Sequence, residues 1–337
     1  MVSEVIYNTF MLIISIKKKQ ELSYKGGYIM KSSRHFGLMM IISGATLWGL
    51  SGPMIQWLFH HTELSSSDFL VIRLLLAGVF ILCSLLFTKQ NIFGIWRHPR
   101  HWIQLLIFSI AGMLGAQYAF IETVHISNAV TATLFQFLGP VLITIYVALQ
   151  HKRLPSTTQF IAIIAALAGT YFLITNGSIE NIILSNQAIL FGILTAIGFA
   201  FYTLHPASLI KQWGTSVIVG WGMLLGGISL FLYNQEFHFQ HIANTLTIGT
   251  FSMLMLIIIS GTLSFLLYIG SLKYLSATET SILSSIEPLV AAIVSIIWLN
   301  ESFGTYQLLG GAFIIVAVIF LTLPEKEVQP KLATKHM

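Results

Sequence analysis

The residue with the clearest chemical potential is Glu287, an acid about ten residues inside an apolar run at 277–299. An ionised carboxylate at such depth in a bilayer costs roughly 2.5–3.5 kcal/mol, so such residues usually serve a function. Because removal from water favours the protonated form of a carboxyl group, Glu287 could carry a proton or bind a cationic substrate group. The alternative is a neutral, hydrogen-bonded acid with a structural role. We predict that Glu287 is a substrate or coupling-ion residue.

Polar residues recur at helical spacing in two apolar runs. The spacing is i, i+3, i+7 in both: Thr133, Gln136 and Pro140 in the first, and Ser281, Ser284 and Pro288 in the second. A helix places such residues on one stripe, and lipid offers them no hydrogen bonds, so both stripes should face the bundle interior. We predict that Gln136 and Ser284 line a substrate cavity, with plain interhelical hydrogen bonding as the alternative.

Four of the eight prolines lie inside apolar runs, where a proline removes a backbone hydrogen bond and kinks the helix. They form two matching pairs: Pro53 with Pro206, and Pro140 with Pro288. Interrupted helices at corresponding positions of two halves are typical of the binding sites of secondary transporters. The alternative is that the kinks serve packing alone.

Five further side chains complete the set of candidates. Arg73, near one end of the second apolar run, is predicted to form a structural or gating ion pair with Asp68 or Glu122. Snorkelling of its side chain to the headgroups is the alternative. The other four could line a cavity for a small organic molecule: Gln117, Trp48, Tyr202 and His205.

Other kinds of site have no sequence signal. The phosphate-binding motif G-x-x-x-x-G-K-[ST] is absent, and the paired histidines lie in loops without a carboxylate or cysteine array. The single cysteine, Cys83, cannot form a disulfide within the chain. We therefore predict no catalytic residues, no metal and no cofactor.

The composition places these residues in a membrane. The chain of 337 residues is 55% hydrophobic and 9% charged, with a mean hydropathy of +0.82, whereas soluble domains carry about 25% charged residues. About ten apolar runs have the length of a membrane span: 37–59, 68–87, 102–122, 128–149, 157–175, 187–210, 215–233, 247–270, 277–299 and 304–323. The predicted fold is an all-α integral membrane protein with ten transmembrane helices.

The basic residues predict the orientation. With the N-terminus inside, all 17 Lys and Arg residues except Arg73 lie in the termini or loops of one side, which is therefore cytoplasmic. This distribution accounts for the net charge of +5 without a nucleic-acid partner. We predict a multi-pass protein of the cell membrane, in contact with lipid, with both termini cytoplasmic. Residues 1–36 and 324–337 form the cytoplasmic terminal segments.

The N-terminal 29 residues are predicted to be leader sequence. Codons for Lys25-Gly26-Gly27 can contain a bacterial ribosome-binding site at suitable spacing before a start codon at Met30. The apolar stretch 5–16 is too short to span a bilayer. We therefore predict Met30 as the native start.

An internal repeat divides the chain into two halves, 37–175 and 187–323. Shifting the chain by 148 residues aligns Ala129 with Ala277 and Pro140 with Pro288. Five spans in each half is an odd number, so the second half must be inverted relative to the first. Inverted repeats of this kind are common among secondary transporters.

The second half resembles the EamA-type transporters of the drug/metabolite transporter superfamily. The resemblance is carried by residues 272–320, with the pair Glu287-Pro288, Glu301 and the pair Gly310-Gly311. The first half is similar more loosely, through Trp48-Gly49, Arg73 and Pro140, and it has Gly139 where the second half has Glu287. The resemblance implies ten helices, cytoplasmic termini and transport, without fixing the substrate.

The predicted function is secondary transport of a small organic metabolite, by export of an amino acid or similar compound through alternating access. Protons are the candidate coupling ion. The alternatives are a channel or membrane scaffold and, with less support, a membrane-embedded enzyme. The sequence leaves the substrate, the direction, the coupling mode and the oligomeric state open.

Overall fold

The structure is a computed structural model that describes residues 30–151, 156–175, 177–178, 185–234, 237, 247–300 and 305–322. These residues form helices and connecting turns, without a strand. The helices are α1 (Met30–His61), α2 (Ser66–Phe87), α3 (Pro99–Ile107), α4 (Gly115–Ile126), α5 (Ala129–Gln136), α6 (Gly139–His151), α7 (Thr157–Thr175), α8 (Asn186–Leu204), α9 (Ala207–Trp213), α10 (Thr215–Tyr233), α11 (Ile248–Ser271), α12 (Ala277–Leu283), α13 (Ile286–Leu299) and α14 (Thr305–Thr322). The predicted leader 1–29, the tail 324–337 and Glu301 lie outside the described residues.

Seven helical segments in the described part of the chain are long and apolar enough to cross a membrane. They are Arg34–His61, Ser66–Phe87, Pro99–Ile126, Asn186–Trp213, Thr215–Tyr233, Ile248–Ser271 and Glu279–Leu299. The other three predicted spans contain α5 with α6, α7, and α14. The all-helical membrane fold is thus confirmed, while ten crossings and the inverted repeat stay predictions.

Three of the four intramembrane prolines lie at helix interruptions. Pro140 follows the break between α5 and α6, Pro288 follows the break between α12 and α13, and Pro206 separates α8 from α9. A proline suits the first turn of a helix, where its missing N–H has no partner to lose. Pro53 differs, because α1 continues through it from Met30 to His61.

A π-helical segment at Phe108–Leu114 joins α3 to α4 and was not predicted. It contains no proline, so the sequence gives no sign of this irregularity. The Ser109 hydroxyl donates to the Leu105 carbonyl at 2.7 Å within it. The segment packs against α10, where Gly226 faces the Ser109 carbonyl. Such segments re-aim the side chains that follow, and here α4 carries Gln117.

The helices of the first half pack mainly against those of the second. α1 lies along α11 and α13, α2 along α10, α4 along α8, and α7 along α14. The interior is apolar, and large apolar side chains such as Leu149, Leu232 and Ile297 are also exposed on the outside. Helices that are hydrophobic on all faces are typical of a bundle surrounded by lipid. The packing leaves a cavity where the two halves meet.

Candidate functional site

A small cavity of about 30 Å³ lies between the two halves of the bundle. Its walls are formed by Trp48, Ser51, Ile55, Arg73, Ala116, Gln117, Phe120, Gln136, Tyr202, Phe265 and Glu287. Six of these were candidates from the sequence: Trp48, Arg73, Gln117, Gln136, Tyr202 and Glu287. The lining combines apolar side chains with a few polar groups, as small-molecule sites usually do.

A carboxylate and an amide meet across the halves in this cavity. Gln136 Nε2 donates to both oxygens of Glu287, at 3.0 Å to Oε2 and 3.3 Å to Oε1. Glu287 is only 3% exposed. The break after α12 places it in the first turn of α13, where the helix dipole favours a negative charge. The proline-associated break thus explains how a carboxylate is accommodated at this depth.

The first half has no space for an equivalent acid. A Cβ built on Gly139, at the start of α6, would lie 2.5 Å from Cδ1 of Phe199. The ring of Phe199 therefore occupies the volume that a side chain would need. This packing is the physical reason that the site has one carboxylate rather than a symmetric pair.

We expect Gln136 and Glu287 to be energetically coupled. Gln136→Met and Glu287→Met each leave a buried polar partner without its hydrogen bond, at a cost of about 1–3 kcal/mol. Because the double variant removes both groups, we expect it to be more stable than the sum of the two losses implies, by about 1–2 kcal/mol. Thermal unfolding of the four proteins in detergent measures this. Strictly additive changes in melting temperature would contradict the coupling.

An aromatic cluster lies at the cavity wall. Trp48 packs edge-on against Phe265, with ring centroids 4.8 Å apart, and lies 5.1 Å from Tyr268. The Tyr268 hydroxyl is 2.9 Å from the hydroxyl of Thr203, which ties α11 to α8. Tyr268 is fully buried and packs against α1 at Gly44.

Contacts near the N-terminus of α1 also join the two halves. Arg34 of α1 forms a salt bridge with Glu279 of α12 at 3.1 Å. Phe36 packs edge-on against Tyr274, with ring centroids 5.3 Å apart. Glu279 also accepts a hydrogen bond from the Ser276 backbone in the capping box of α12. The bundle is thus held together at the face that carries the N-terminus of α1.

The predicted ion pair of Arg73 is wrong. No carboxylate lies within salt-bridge distance of its guanidinium in the part of the chain that the structure describes. Asp68 instead accepts from Nδ2 of Asn234 at 3.0 Å. Five residues turn a helix by about 140°, so Asp68 and Arg73 project from different faces of α2. Arg73 is 5% exposed and turns into the cavity wall rather than toward the headgroups or Glu122.

The guanidinium of Arg73 rests on apolar and backbone surface. Its Cζ lies 6.0 Å from the centre of the Phe69 ring. On the other side it lies against Gly261 of α11, so closely that a Cβ at Gly261 would overlap it. The absence of a side chain at Gly261 therefore leaves the space that the guanidinium occupies.

Gln117 is a further polar residue of the cavity wall that has no hydrogen-bond partner among the described residues. It is 5% exposed, and neither its amide nitrogen nor its amide oxygen has a hydrogen-bond partner among the described residues. Buried amides are almost always satisfied, so an exception at a cavity wall calls for an explanation.

Two predicted site residues lie away from the cavity. His205 Nε2 donates to the Gln104 carbonyl at 3.1 Å, and its ring stacks on Phe201. Ser284 is fully buried at the break before α13, and its hydroxyl donates to the Ser281 carbonyl at 2.6 Å. Both residues satisfy backbone groups near helix interruptions, which is why neither reaches the cavity.

Sequence reasoning missed several wall residues, and a signal existed for some of them. Ser51 and Ile55 follow Trp48 at i+3 and i+7, and Phe120 follows Gln117 at i+3. Because of this helical spacing, they lie on the same helix faces as the predicted site residues Trp48 and Gln117. Phe265 of α11 was missed as well. Among the described residues, no group of three or more His, Cys, Asp or Glu could hold a metal ion.

Comparison with known proteins decides the family. A sequence profile described as the EamA-like transporter family matches residues 35–175 and again 186–323. The chain belongs to the EamA-like transporter family. The resemblance predicted from residues 272–320 is thus confirmed, and the chain is a membrane transport protein.

Two relatives of the chain are described as uncharacterized transporters. The chain is 35% identical over 292 residues to YicL of Salmonella typhimurium, described as an uncharacterized inner membrane transporter, covering 86% of this chain and 96% of YicL. It is 21% identical over 294 residues to the uncharacterized transporter YyaM of Bacillus subtilis, covering 85% and 93%.

A solved crystal structure has a similar fold. It matches with a TM-score of 0.64 at 14% identity, over 87% of this chain and 96% of the other. At this identity the likeness extends to the fold alone. It shows that this member of the EamA-like transporter family has an arrangement of helices that occurs in another protein.

Proposed function

We propose that the chain is a secondary transporter that exports a small organic metabolite by alternating access. It has ten transmembrane helices, arranged as two inverted five-helix repeats, 37–175 and 187–323. It lies in the plasma membrane with both termini in the cytoplasm. The hydrogen bond between Gln136 and Glu287, inside a cavity between the halves, is the observation that carries this proposal.

The helix pairing supports the repeat. If α1 corresponds to α8 and α4 to α11, the packing of α1 on α11 has its counterpart in the packing of α8 on α4. Likewise α1 on α13 has its counterpart in α8 on α6. The pairs α2 with α10 and α7 with α14 each join a helix to its own counterpart. A two-fold relation between the halves requires this exchange of partners.

The closure of one face supports alternating access. Near the N-terminus of α1 the two halves are joined by the salt bridge of Arg34 with Glu279, and Trp48 of α1 packs on Phe265 of α11 in the cavity wall. Passage to that face requires the halves to move apart there, and rocking of one repeat against the other would do this. Since Gln136 and Glu287 belong to different halves, a proton or substrate that displaces their hydrogen bond would change how the halves are held.

The relatives, the basic residues and the cavity lining support the membrane location and indicate a substrate class. YicL is described as an uncharacterized inner membrane transporter, and all Lys and Arg residues except Arg73 are distributed as the positive-inside rule requires of cytoplasmic termini. A charge-poor cavity lined by aromatic rings suits zwitterionic or mainly apolar molecules.

Flux through proteoliposomes tests the proposal. Purified protein is reconstituted in vesicles loaded with a defined pool of amino acids, amines, organic acids, sugars and nucleosides, with and without a pH gradient. We expect efflux of a small set of chemically related compounds, measured by mass spectrometry, and acceleration by the gradient. Protein-free vesicles are the control. Efflux of no compound, or unselective efflux of all, would contradict a selective transporter.

A further inference from the structure

We infer that the turn between α2 and α3, together with α9, binds an anionic phospholipid of the leaflet at the N-terminal end of α1. Four exposed basic residues form this basic surface: Lys89, Arg97, Arg100 and Lys211. The inference concerns the outside of the bundle. It does not depend on what the cavity binds or on whether the protein transports a metabolite.

The charges of the basic surface have no acidic partner in the part of the chain that the structure describes. None of the four residues forms a salt bridge there. Residues 88–104 and 205–214, which contain the surface, include no Asp or Glu. Glu279, an acid described at this face, is paired with Arg34. Because positive charges on one surface repel each other, a negatively charged ligand is favoured there.

Both halves of the chain contribute to the basic surface. His98 and His101, on either side of Arg100, pack against the ring of Trp213 in α9, with ring centroids 5.6 Å and 5.9 Å apart. Trp213 Nε1 also donates to Nδ1 of His101 at 3.3 Å. Lys211 lies two residues before Trp213, within one helical turn of this contact. A ligand on the surface therefore contacts residues of both halves.

The turn between α2 and α3 is ordered by contacts of its own. Nε1 of Trp221 in α10 donates to the carbonyl of Ile92 at 2.8 Å. The side-chain oxygen of Asn91 accepts from the backbone N–H of Gly94 at 2.9 Å, and the side chain of Ile95 is fully buried. Because the backbone is already fixed, binding of a ligand costs little conformational entropy.

Lys89 has a backbone conformation that favours glycine. Its φ is +55°, and its N–H donates to the Leu86 carbonyl at 2.9 Å where α2 ends. Glycine is the usual residue at such a helix end, since a Cβ is disfavoured in the left-handed region. A lysine at this position, despite the strain, indicates that the side chain has a role.

Exposed aromatic rings next to the basic surface distinguish a lipid from a free anion. Phe87 is 83% exposed and Phe93 is 56% exposed, and they lie on either side of Lys89 in the chain. Exposed rings at a helix end are typical of the boundary between acyl chains and headgroups. Groups of four or more Lys and Arg residues directly beside a membrane helix are typical of sites for acidic lipids. A phospholipid places its phosphate on the cations and its acyl chains on the rings, whereas a phosphate ion leaves the rings uncovered.

Lipid binding to the purified full-length protein tests the inference. The probe is phosphatidylglycerol, compared with phosphatidylcholine and with inorganic phosphate. We expect phosphatidylglycerol to remain bound in native mass spectrometry and to raise the melting temperature in detergent, and high salt to weaken both effects. Equal effects of phosphatidylcholine would show that the negative charge is not recognised. Equal effects of inorganic phosphate would show a site for a free anion. Either result would overturn the inference.

A charge-matched pair of variants separates a site from a general effect of positive charge. The first variant replaces all four residues of the basic surface with Gln. The control replaces four lysines that the sequence assigns to the same side of the membrane, and so loses the same charge: Lys31, Lys326, Lys331 and Lys335. We expect the first variant to bind phosphatidylglycerol at least about tenfold more weakly, and the control to bind it as wild type does. Equal loss in the two variants, or no loss in the first, would overturn the inference.

Single variants keep the test decisive if the fourfold variant does not fold. Arg97→Gln and Arg100→Gln each remove one exposed charge, and each should weaken binding of phosphatidylglycerol by about fivefold. Their melting temperatures without added lipid should equal that of wild type, because the side chains are exposed. Unchanged lipid binding in both single variants would overturn the inference. Since binding is measured without flux, neither outcome bears on the transport function.

Discussion

Glu287→Gln is expected to abolish the dependence of substrate flux on the pH gradient while leaving a folded protein. Glutamine has the shape of glutamate and can still accept from Nε2 of Gln136, so the contact between the halves persists. It cannot bind or release a proton. With one proton per substrate, a gradient of two pH units allows accumulation of about a hundredfold. We expect wild type to approach this ratio and the variant to stay near one, as measured by substrate accumulation in proteoliposomes.

Glu63→Gln is the control for this experiment. Glu63 is exposed in the turn between α1 and α2, so the same change of charge occurs away from the cavity. It should transport and respond to the gradient as wild type does. If Glu287→Gln retains gradient-driven accumulation, Glu287 does not carry the proton. If wild type itself ignores the gradient, transport is uncoupled from protons, and Glu287 has a binding role instead.

Gly78→Ala is expected to destabilise the bundle by about 1–3 kcal/mol, although alanine normally favours a helix. A Cβ at Gly78 would lie 2.5 Å from the backbone nitrogen of Leu224 and 2.7 Å from its Cα. Backbone atoms of a packed helix cannot move aside like a flexible side chain, so α2 and α10 would have to separate. The melting temperature in detergent and the monodisperse fraction on size exclusion measure the loss.

A glycine-to-alanine substitution at a position without close neighbours should not lower the stability of the protein. At Gly249 a Cβ would meet nothing closer than 3.8 Å. Gly249→Ala should therefore leave the melting temperature unchanged or raise it slightly, because alanine lowers the entropy cost of forming the helix. Equal effects at Gly78 and Gly249 would show that the close approach of α2 and α10 does not limit stability.

The sequence was informative where the signal is local. Length and hydropathy located the seven membrane-spanning segments that the described residues contain, because each membrane helix must satisfy the hydrogen bonds of its own backbone. The prolines located three helix interruptions, since a missing N–H acts on the residue's own turn. Glu287 and Gln136 were nominated because a polar group in an apolar run is unusual wherever it occurs, and the structure brings them into contact.

Properties that depend on which helices are neighbours came from the tertiary structure alone. The sequence placed Arg73 near Asp68, but the turn of α2 separates them, and α11 meets the guanidinium with Gly261. His205 was nominated for its chemistry, yet its ring bonds to the backbone of α3. The spacing of Gly78 gave no sign of its contact with α10. A linear pattern fixes the face of a helix on which a residue lies. Which residues lie opposite that face is decided only when the helices pack. For this reason the position of Arg73 in a cavity wall, without a described carboxylate as partner, could not be predicted from the sequence.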